Sequence, residues 1–377
     1  MLKRRAMDYS SRLPQGWEQG MSPTDRVWIG KELFVAKGKL SPALKLWYYP
    51  PPVEHHNTQP QPEAYYRRRL LLWMPRRMWQ VEFKCPSCAH PLHSKGVYHR
   101  IRKVLDIKDY YYLAAEYMKC QRCHGMYIAW DGRMLDQLAA GVRAQFPATL
   151  TYRYACDNSI MSLLRARTLG NSPTALCNNL MEVHSEEWLR RQLGYLSDCV
   201  RHKIGLVRMG ITPPEYAVVE PFPKFPTAWW FLSVYVRDVW SRLSSLLAAL
   251  TSTYGRILKI DSTKKVCRKL QGKAANTASW ATSIGNERGE IVITVLTLSE
   301  GAPALKPLAD DLVRRYREAG QDPPILLYTD RDCCCITGPS KFQELFAAWT
   351  GLTVRLDAWH FMRRLAGVLC MHKAELQ

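Results

Sequence analysis

Arg256-Ile-Leu-Lys-Ile-Asp261, Pro324-Ile-Leu-Leu-Tyr-Thr-Asp330 and Leu352-Thr-Val-Arg-Leu-Asp357 are three short apolar segments, each ending on an aspartate. Runs of roughly four to six apolar or β-branched residues bounded by Gly or Pro read as strands buried in a sheet. Between the first two, residues 279–284 and 290–298 are strand-like, and Gly285-Asn-Glu-Arg-Gly289 reads as the turn of a hairpin. Residues 304–319 follow, with Leu305, Leu308, Leu312, Val313 and Tyr316 at helical spacing and Gly320 as the stop. A second helix fits 341–349, closed by Gly351. The expected order is β-β-β-α-β-α-β, with Asp261 ending the first strand and Asp330 ending the strand after the first helix.

That order resembles the ribonuclease-H-like fold of DDE/D transposases and integrases. Leu327-Tyr-Thr-Asp330 and Asp357-Ala-Trp-His360-Phe-Met-Arg-Arg364 further resemble Mutator-like transposon proteins, whose second-aspartate strand is followed by a Cys-x-x-His or similar box. Here the box reads Asp-x-x-His, with Asp357 and His360 at its ends. The resemblance covers about the last third of the chain. It implies an α+β multidomain protein that cuts or joins DNA strands in the nucleus, with Mg²⁺ or Mn²⁺ at Asp261 and Asp330 and a third carboxylate on a later helix. Glu375 is the only acid among residues 361–377, and Asp357 is the alternative. The expectation is therefore a ribonuclease-H-like mixed sheet, incomplete at its C-terminus, whose rival is a non-catalytic DNA-binding protein of transposon origin.

The carboxylates also have a physical case of their own. Phosphodiester cleavage needs an activated water or hydroxyl and neutralisation of charge on attacking and leaving oxygens, which two Mg²⁺ ions about 3.5–4 Å apart supply. Such hard ions take oxygen ligands, so aspartates on neighbouring strand ends suit them. The plainer alternative is that Asp261 and Asp330 start turns.

Lys and Arg number 53 against 33 Asp and Glu, giving a net charge of +20. Such an excess points to a polyanion, DNA or RNA before a membrane, and supplies affinity without sequence choice. No stretch of 18 apolar residues occurs, so no membrane partner is expected. The oligomeric state, including a homo-oligomer, stays open. Lys3-Arg-Arg5 and Arg67-Arg-Arg69 are candidate nuclear addresses.

Residues 1–65 are Pro-rich and polar and read as a largely extended leader, ordered locally around Trp17, Trp28 and Trp47. In the next region, 66–150, Cys85-Pro-Ser-Cys88 and Cys120-Gln-Arg-Cys123 are two Cys-x-x-Cys turns separated by 31 residues. Four thiolates suit a closed tetrahedral Zn²⁺ site in a zinc-ribbon-like module, and such a closed shell is structural rather than catalytic. A redox dithiol and buried core thiols are the rivals, and His90, His93 and His124 lie near enough for a mixed shell.

Residues 151–250 read as helical. Asp157 caps a first helix running to Arg167, and Gly170-Asn171 breaks it. Ser172-Pro173 opens a second helix to Val183, and Ser185 a third to Val200. Two helices around a short turn resemble a helix-turn-helix, though the second contains no Arg or Lys and packing is favoured. Five prolines between Pro213 and Pro226 mark a linker, followed by one helix over 228–254 that leads into the ribonuclease-H-like domain, 251–377. Cys156, Cys177, Cys199, Cys267 and Cys370 read as small core residues, and Cys333-Cys-Cys335 as a loop beside the acidic strand end.

Overall fold

Helices and strands alternate along the chain in an α+β arrangement with two mixed sheets. The structure is a computed structural model that describes residues 8–53, 58–152, 154–165, 172–270, 272–333, 337–363 and 365–366. Lys3-Arg-Arg5, the end of the first expected helix at 166–171, Cys334, Cys335, Cys370 and Glu375 fall outside those residues. The chain divides into two compact units, Met1–Trp240 and Ser241–Gln377. The cysteine region and most of the helical region fall within the first of these units.

In the first unit Ser22 accepts the amide of Asp25 and Pro23 presets the first helical φ, so helix α1 (Pro23–Leu33) begins there. Trp28, Ile29 and Leu33 join Trp17, Phe34 and Tyr48 in a core against Leu70, Leu72 and Tyr112. Residues 8–53 are thus folded, not an extended leader. Proline and polar content suggested otherwise, but burying Trp17 and Trp28 and satisfying Asp25 outweigh it. Asp25, fully buried, accepts from Trp28 Nε1 at 2.9 Å, Tyr112 Oη at 3.0 Å and the Arg68 amide at 3.0 Å.

The sheet of this unit contains β1 (Trp47–Tyr48), β2 (Leu70–Trp73), β3 (Leu92–Val97), β4 (Arg102–Leu105), β5 (Tyr110–Cys120), β6 (Met126–Ile128), β7 (Ala148–Leu150) and β8 (Ala155–Asp157). Their order is β1-β2-β5-β4-β8-β7, while β3 and β6 pair with the far half of β5. Tyr111, Leu113, Ala115 and Met118 of β5 enter one core, and Tyr112 and Ala114 enter another. Burial on both faces explains why this strand reads as a continuous apolar run without alternation.

Helix α2 (Asn158–Arg165) is followed by α3, a single helix from Pro173 to Arg208. The break expected at Ser185 is absent because its hydroxyl donates to the Glu182 carbonyl at 3.2 Å, which accommodates a serine inside a helix. A helix-turn-helix with a short reading helix ending at Val183 is therefore not formed. The real stop is Gly210, at φ +72°: its amide bonds Val207 O and that of Ile211 bonds Leu206 O, a glycine-dependent C-cap. The proline stretch after it runs back along α3, where Tyr195 Oη donates to Ala217 O at 2.6 Å. Helix α4 (Ala228–Ser241) is tied to α2 by the Arg165–Asp238 ion pair.

The single helix expected over 228–254 is two helices. Arg242 (φ −110°, ψ 4°) leaves helical geometry before α5 (Leu243–Thr251), at the boundary between the units, and no Gly or Pro announces that break.

In the second unit β9 (Ile257–Thr263), β10 (Trp280–Asn286) and β11 (Ile291–Thr297) form an antiparallel meander. Helix α6 (Ala302–Glu318) leads to β12 (Leu326–Thr329), and α7 (Lys341–Leu345) to β13 (Thr353–Leu356). The sheet order is β11-β10-β9-β12-β13, with β12 and β13 parallel to β9. Leu305, Leu308, Leu312 and Tyr316 of α6 pack on Leu258, Ile260, Leu327 and Val354 of the sheet. Helix α7 opens with a capping box, Ser340 and Gln343, but stops at Leu345, short of the expected 349.

Candidate metal centre and aspartate row

The register of the sheet assembles the cysteines. Leu92 of β3 pairs with Cys120 of β5, so the turn carrying Cys85 and Cys88 folds back beside the turn that begins at Cys120. The two turns close alike. Ala89 and His124, each just after a second cysteine, both have φ +58°, while Cys85 N–H donates to His90 O at 2.8 Å and Cys120 N–H to Gly125 O at 2.9 Å.

Cys85 Sγ lies 3.4 Å from Cys123 Sγ, and Cys88 Sγ 3.5 Å from Cys120 Sγ. All four sulfurs fall within 4.8 Å of one another. Tetrahedral thiolates about 2.3 Å from Zn²⁺ would sit about 3.8 Å apart, so the spacing fits a closed four-sulfur shell. The four cysteines could hold a metal such as zinc. The shell takes no histidine: among the described residues this is the only group of three or more His, Cys, Asp or Glu ligands so close together. The Tyr127 hydroxyl, 3.4 Å from Cys85 Sγ and 3.1 Å from Ser87 Oγ, pulls the Cys85 thiol down to about 6. The Cys123 amide pulls the Cys120 thiol down as well. Both effects favour the thiolate, the form that binds metal, at Cys85 and Cys120, whereas the Cys88 and Cys123 thiols shift up beside them.

In the second unit the parallel ladder pairs Ile257 with Leu326, Leu258 with Leu327 and Lys259 with Tyr328. Carried on two residues, that offset sets Asp261 level with Asp330. From β12 to β13 the pairs run Leu326 with Thr353 through Thr329 with Leu356, which sets Asp330 level with Asp357. The Asp357 amide continues the ladder by donating to Thr329 O at 2.8 Å. Three aspartates thus stand in a row across three adjacent parallel strands, and in-register residues share a sheet face. Asp330 and Asp357 directly follow β12 and β13, whereas Asp261 lies inside β9, which runs on to Thr263 and does not end at the aspartate as expected.

Their environments differ. Asp261 is exposed and accepts the Ser262 amide at 3.0 Å; Asp330 is half-buried. Asp357 is buried. Lys259 Nζ lies 2.7 Å from its Oδ2, and its Oδ1 accepts the amides of Trp359 at 3.0 Å and His360 at 3.4 Å, capping the helical turn there. Lys259 holds the Asp357 carboxyl below the ordinary carboxylate value. His360 Nδ1 is 3.4 Å from Asp357 Oδ1. His360 thus attends Asp357, and the three carboxylates do not converge as tightly as the sulfurs do. Cys333, beside Asp330, is a buried core residue, as are Cys156, Cys199 and Cys267.

The first unit also holds a polar cleft of about 860 Å³ that the sequence reading did not anticipate. Arg69 pairs with Asp106 and stacks over Trp47 and Tyr111, with its guanidinium 4.9 and 5.3 Å from the ring centres. Arg191 pairs with Asp109 and Glu187. Arg67 and Lys108 line the same cleft and meet no carboxylate among the described residues. The Arg67–Arg69 run is half-buried, and Arg68 donates to Tyr112 Oη at 3.1 Å. Only long-range pairing assembles these residues, so no local motif could have revealed them.

The chain belongs to the family defined by a domain of unknown function, DUF6729, whose profile matches residues 17–240. That match ends at the boundary of the first unit and takes in the folded N-terminal segment, the cysteine cluster and the long helix. No curated protein and no solved structure matches the chain.

Proposed function

We propose that this is a transposon-derived, nucleic-acid-binding protein in which a zinc-ribbon-like module accompanies a ribonuclease-H-like unit for metal-dependent phosphodiester chemistry. One observation carries this most: the strand offsets that set Asp261, Asp330 and Asp357 in one row on a sheet of three antiparallel and two parallel strands. Asp261 and Asp330, level on neighbouring parallel strands, are the pair offered to Mg²⁺ or Mn²⁺, while Asp357 is held by Lys259. Two carboxylates hold one ion and leave a second loosely held, so strand cleavage should be weak. Arg67 and Lys108, cationic and uncompensated by carboxylates, together with the +20 net charge, favour a phosphate-bearing partner.

The Lys259–Asp357 ion pair also favours a second reading, a nucleic-acid-binding protein that does not cleave. The test is Mn²⁺ titration of the zinc-loaded full chain, followed by nicking of supercoiled DNA. Mn²⁺ binding that disappears in both Asp261→Ala and Asp330→Ala supports the metal pair, and nicking lost in the same variants supports cleavage. Binding without nicking selects the second reading. Mn²⁺ binding or nicking that survives Asp261→Ala eliminates the assignment of this site.

A further inference from the structure

Helix α3 presents a surface that neither the cysteine cluster nor the aspartate row uses. Leu189, Leu193, Leu196, Val200, Ile204 and Val207 are 56, 65, 46, 57, 47 and 57% exposed. They recur at an 11-residue period, Leu189 with Val200, Leu193 with Ile204 and Leu196 with Val207. At about 100° per residue they fall within an arc of about 80°, opposite Leu176, Leu180 and Tyr195, which pack inward. An 11-residue period drifts only about 20° per repeat, opposite in sense to a heptad's, so the seam stays on one face of the helix over this length. A polar exterior would serve a solvated helix, and half a dozen half-exposed aliphatic side chains in line call for a partner.

We propose that this stripe is a homodimer interface in which α3 of a second copy packs antiparallel against it. A two-fold interface requires a patch complementary to itself. An antiparallel dyad near residue 198 lays Leu189 over Val207 of the partner and Leu196 over Val200. The charges at the ends agree with that direction: exposed Glu182 and Glu186 flank the N-terminal end, where exposed Arg190 is paired with Glu187, and exposed Lys203 and Arg208 flank the C-terminal end, where exposed Arg201 is paired with Asp198. Antiparallel packing sets acids against bases, and parallel packing sets like against like. Six half-exposed aliphatic residues from each copy bury about 1,000 Å² in all, near the lower bound for a specific interface.

The experiment uses the full, zinc-loaded chain. Sedimentation and light scattering across concentrations up to about 100 μM should show a reversible dimer. Leu193→Glu with Val200→Glu should weaken it roughly tenfold or more without changing zinc content or circular dichroism. Val218→Glu, at a residue 91% exposed outside the stripe, should leave it intact. In an Arg208→Lys chain, carboxylate–amine zero-length cross-linking of a mixture of ¹⁴N and ¹⁵N copies should join Glu186 of one copy to position 208 of the other, which the dyad brings within two residues of register. Within one helix those positions are about 33 Å apart and cannot be joined. A monomer throughout the range, a dimer indifferent to the double variant, or a dimer in which Glu186 and position 208 are never joined between ¹⁴N and ¹⁵N copies would each overturn the proposal.

Discussion

Replacing Cys120 with serine should release the metal and cost the first unit more stability than replacing Cys123, although both changes remove one sulfur from the same shell. Cys120 is fully buried at the end of β5, with Cys88 Sγ 3.5 Å away, whereas Cys123 is exposed. Structural Zn²⁺ binding contributes about 10–16 kcal/mol in small modules that depend on it for folding. Here the cysteines sit on a sheet with its own core, Leu113, Ala115 and Met118 among others, so the turns should loosen while the sheet persists. Beyond the shared loss of the ion, the serine at 120 leaves a hydroxyl without a partner in a dry site, a further cost of about 1–3 kcal/mol. For a unit of this size that is about 2–10 °C of additional loss in melting temperature. Metal analysis of the purified chain should find one Zn²⁺, and thermal circular dichroism with and without chelator should separate the variants in that order. Because the ligands must be thiolates, zinc should be released as pH falls. A chain that carries no zinc, melting unchanged by chelator, or equal losses for the two variants would refute the reasoning.

Lys259→Ala should destabilise the second unit by about 1–2 kcal/mol near neutral pH by leaving the buried Asp357 carboxylate without its cation. Since Lys259 depresses the folded-state value of Asp357, this stabilisation is present above the ordinary carboxylate range and lost as pH falls through the depressed value; denaturant titrations of wild type and variant should therefore converge in strong acid, and a constant gap would point to packing instead. Arg165→Ala should cost the first unit about 2–3 kcal/mol, or roughly 5–10 °C, because Asp238 is 4% exposed and would lose its bidentate partner; a shift within 1–2 °C would mean that water replaces the guanidinium. Duplex DNA binding should fall with salt at a log-log slope of about −0.9 per neutralised phosphate, measured by fluorescence anisotropy, and a flat dependence would favour a protein partner.

Much was legible where chemistry is local. Two Cys-x-x-Cys turns state their purpose through spacing alone, because each turn places two sulfurs together whatever surrounds it. The strand and helix order from Arg256 to Asp357 was legible because buried strands and an amphipathic helix each carry their own periodicity. Ser172-Pro173 marked the start of α3 for the same reason, a cap bond formed within one turn. Serine at 185, by contrast, carries a cap's side chain but satisfies it inside the helix, and composition could not show that Trp17 and Trp28 anchor a folded N-terminal segment. Local sequence thus determined the four-cysteine turns, the element order and the aspartates that close β12 and β13, though not the end of β9, which passes Asp261 to Thr263. Tertiary structure alone decided that Leu92 pairs with Cys120, that Asp261, Asp330 and Asp357 stand level, and that Lys259 reaches Asp357. Each of these depends on the register between segments far apart in the chain, which is set by how side chains fill a shared core and leaves no mark in either segment by itself.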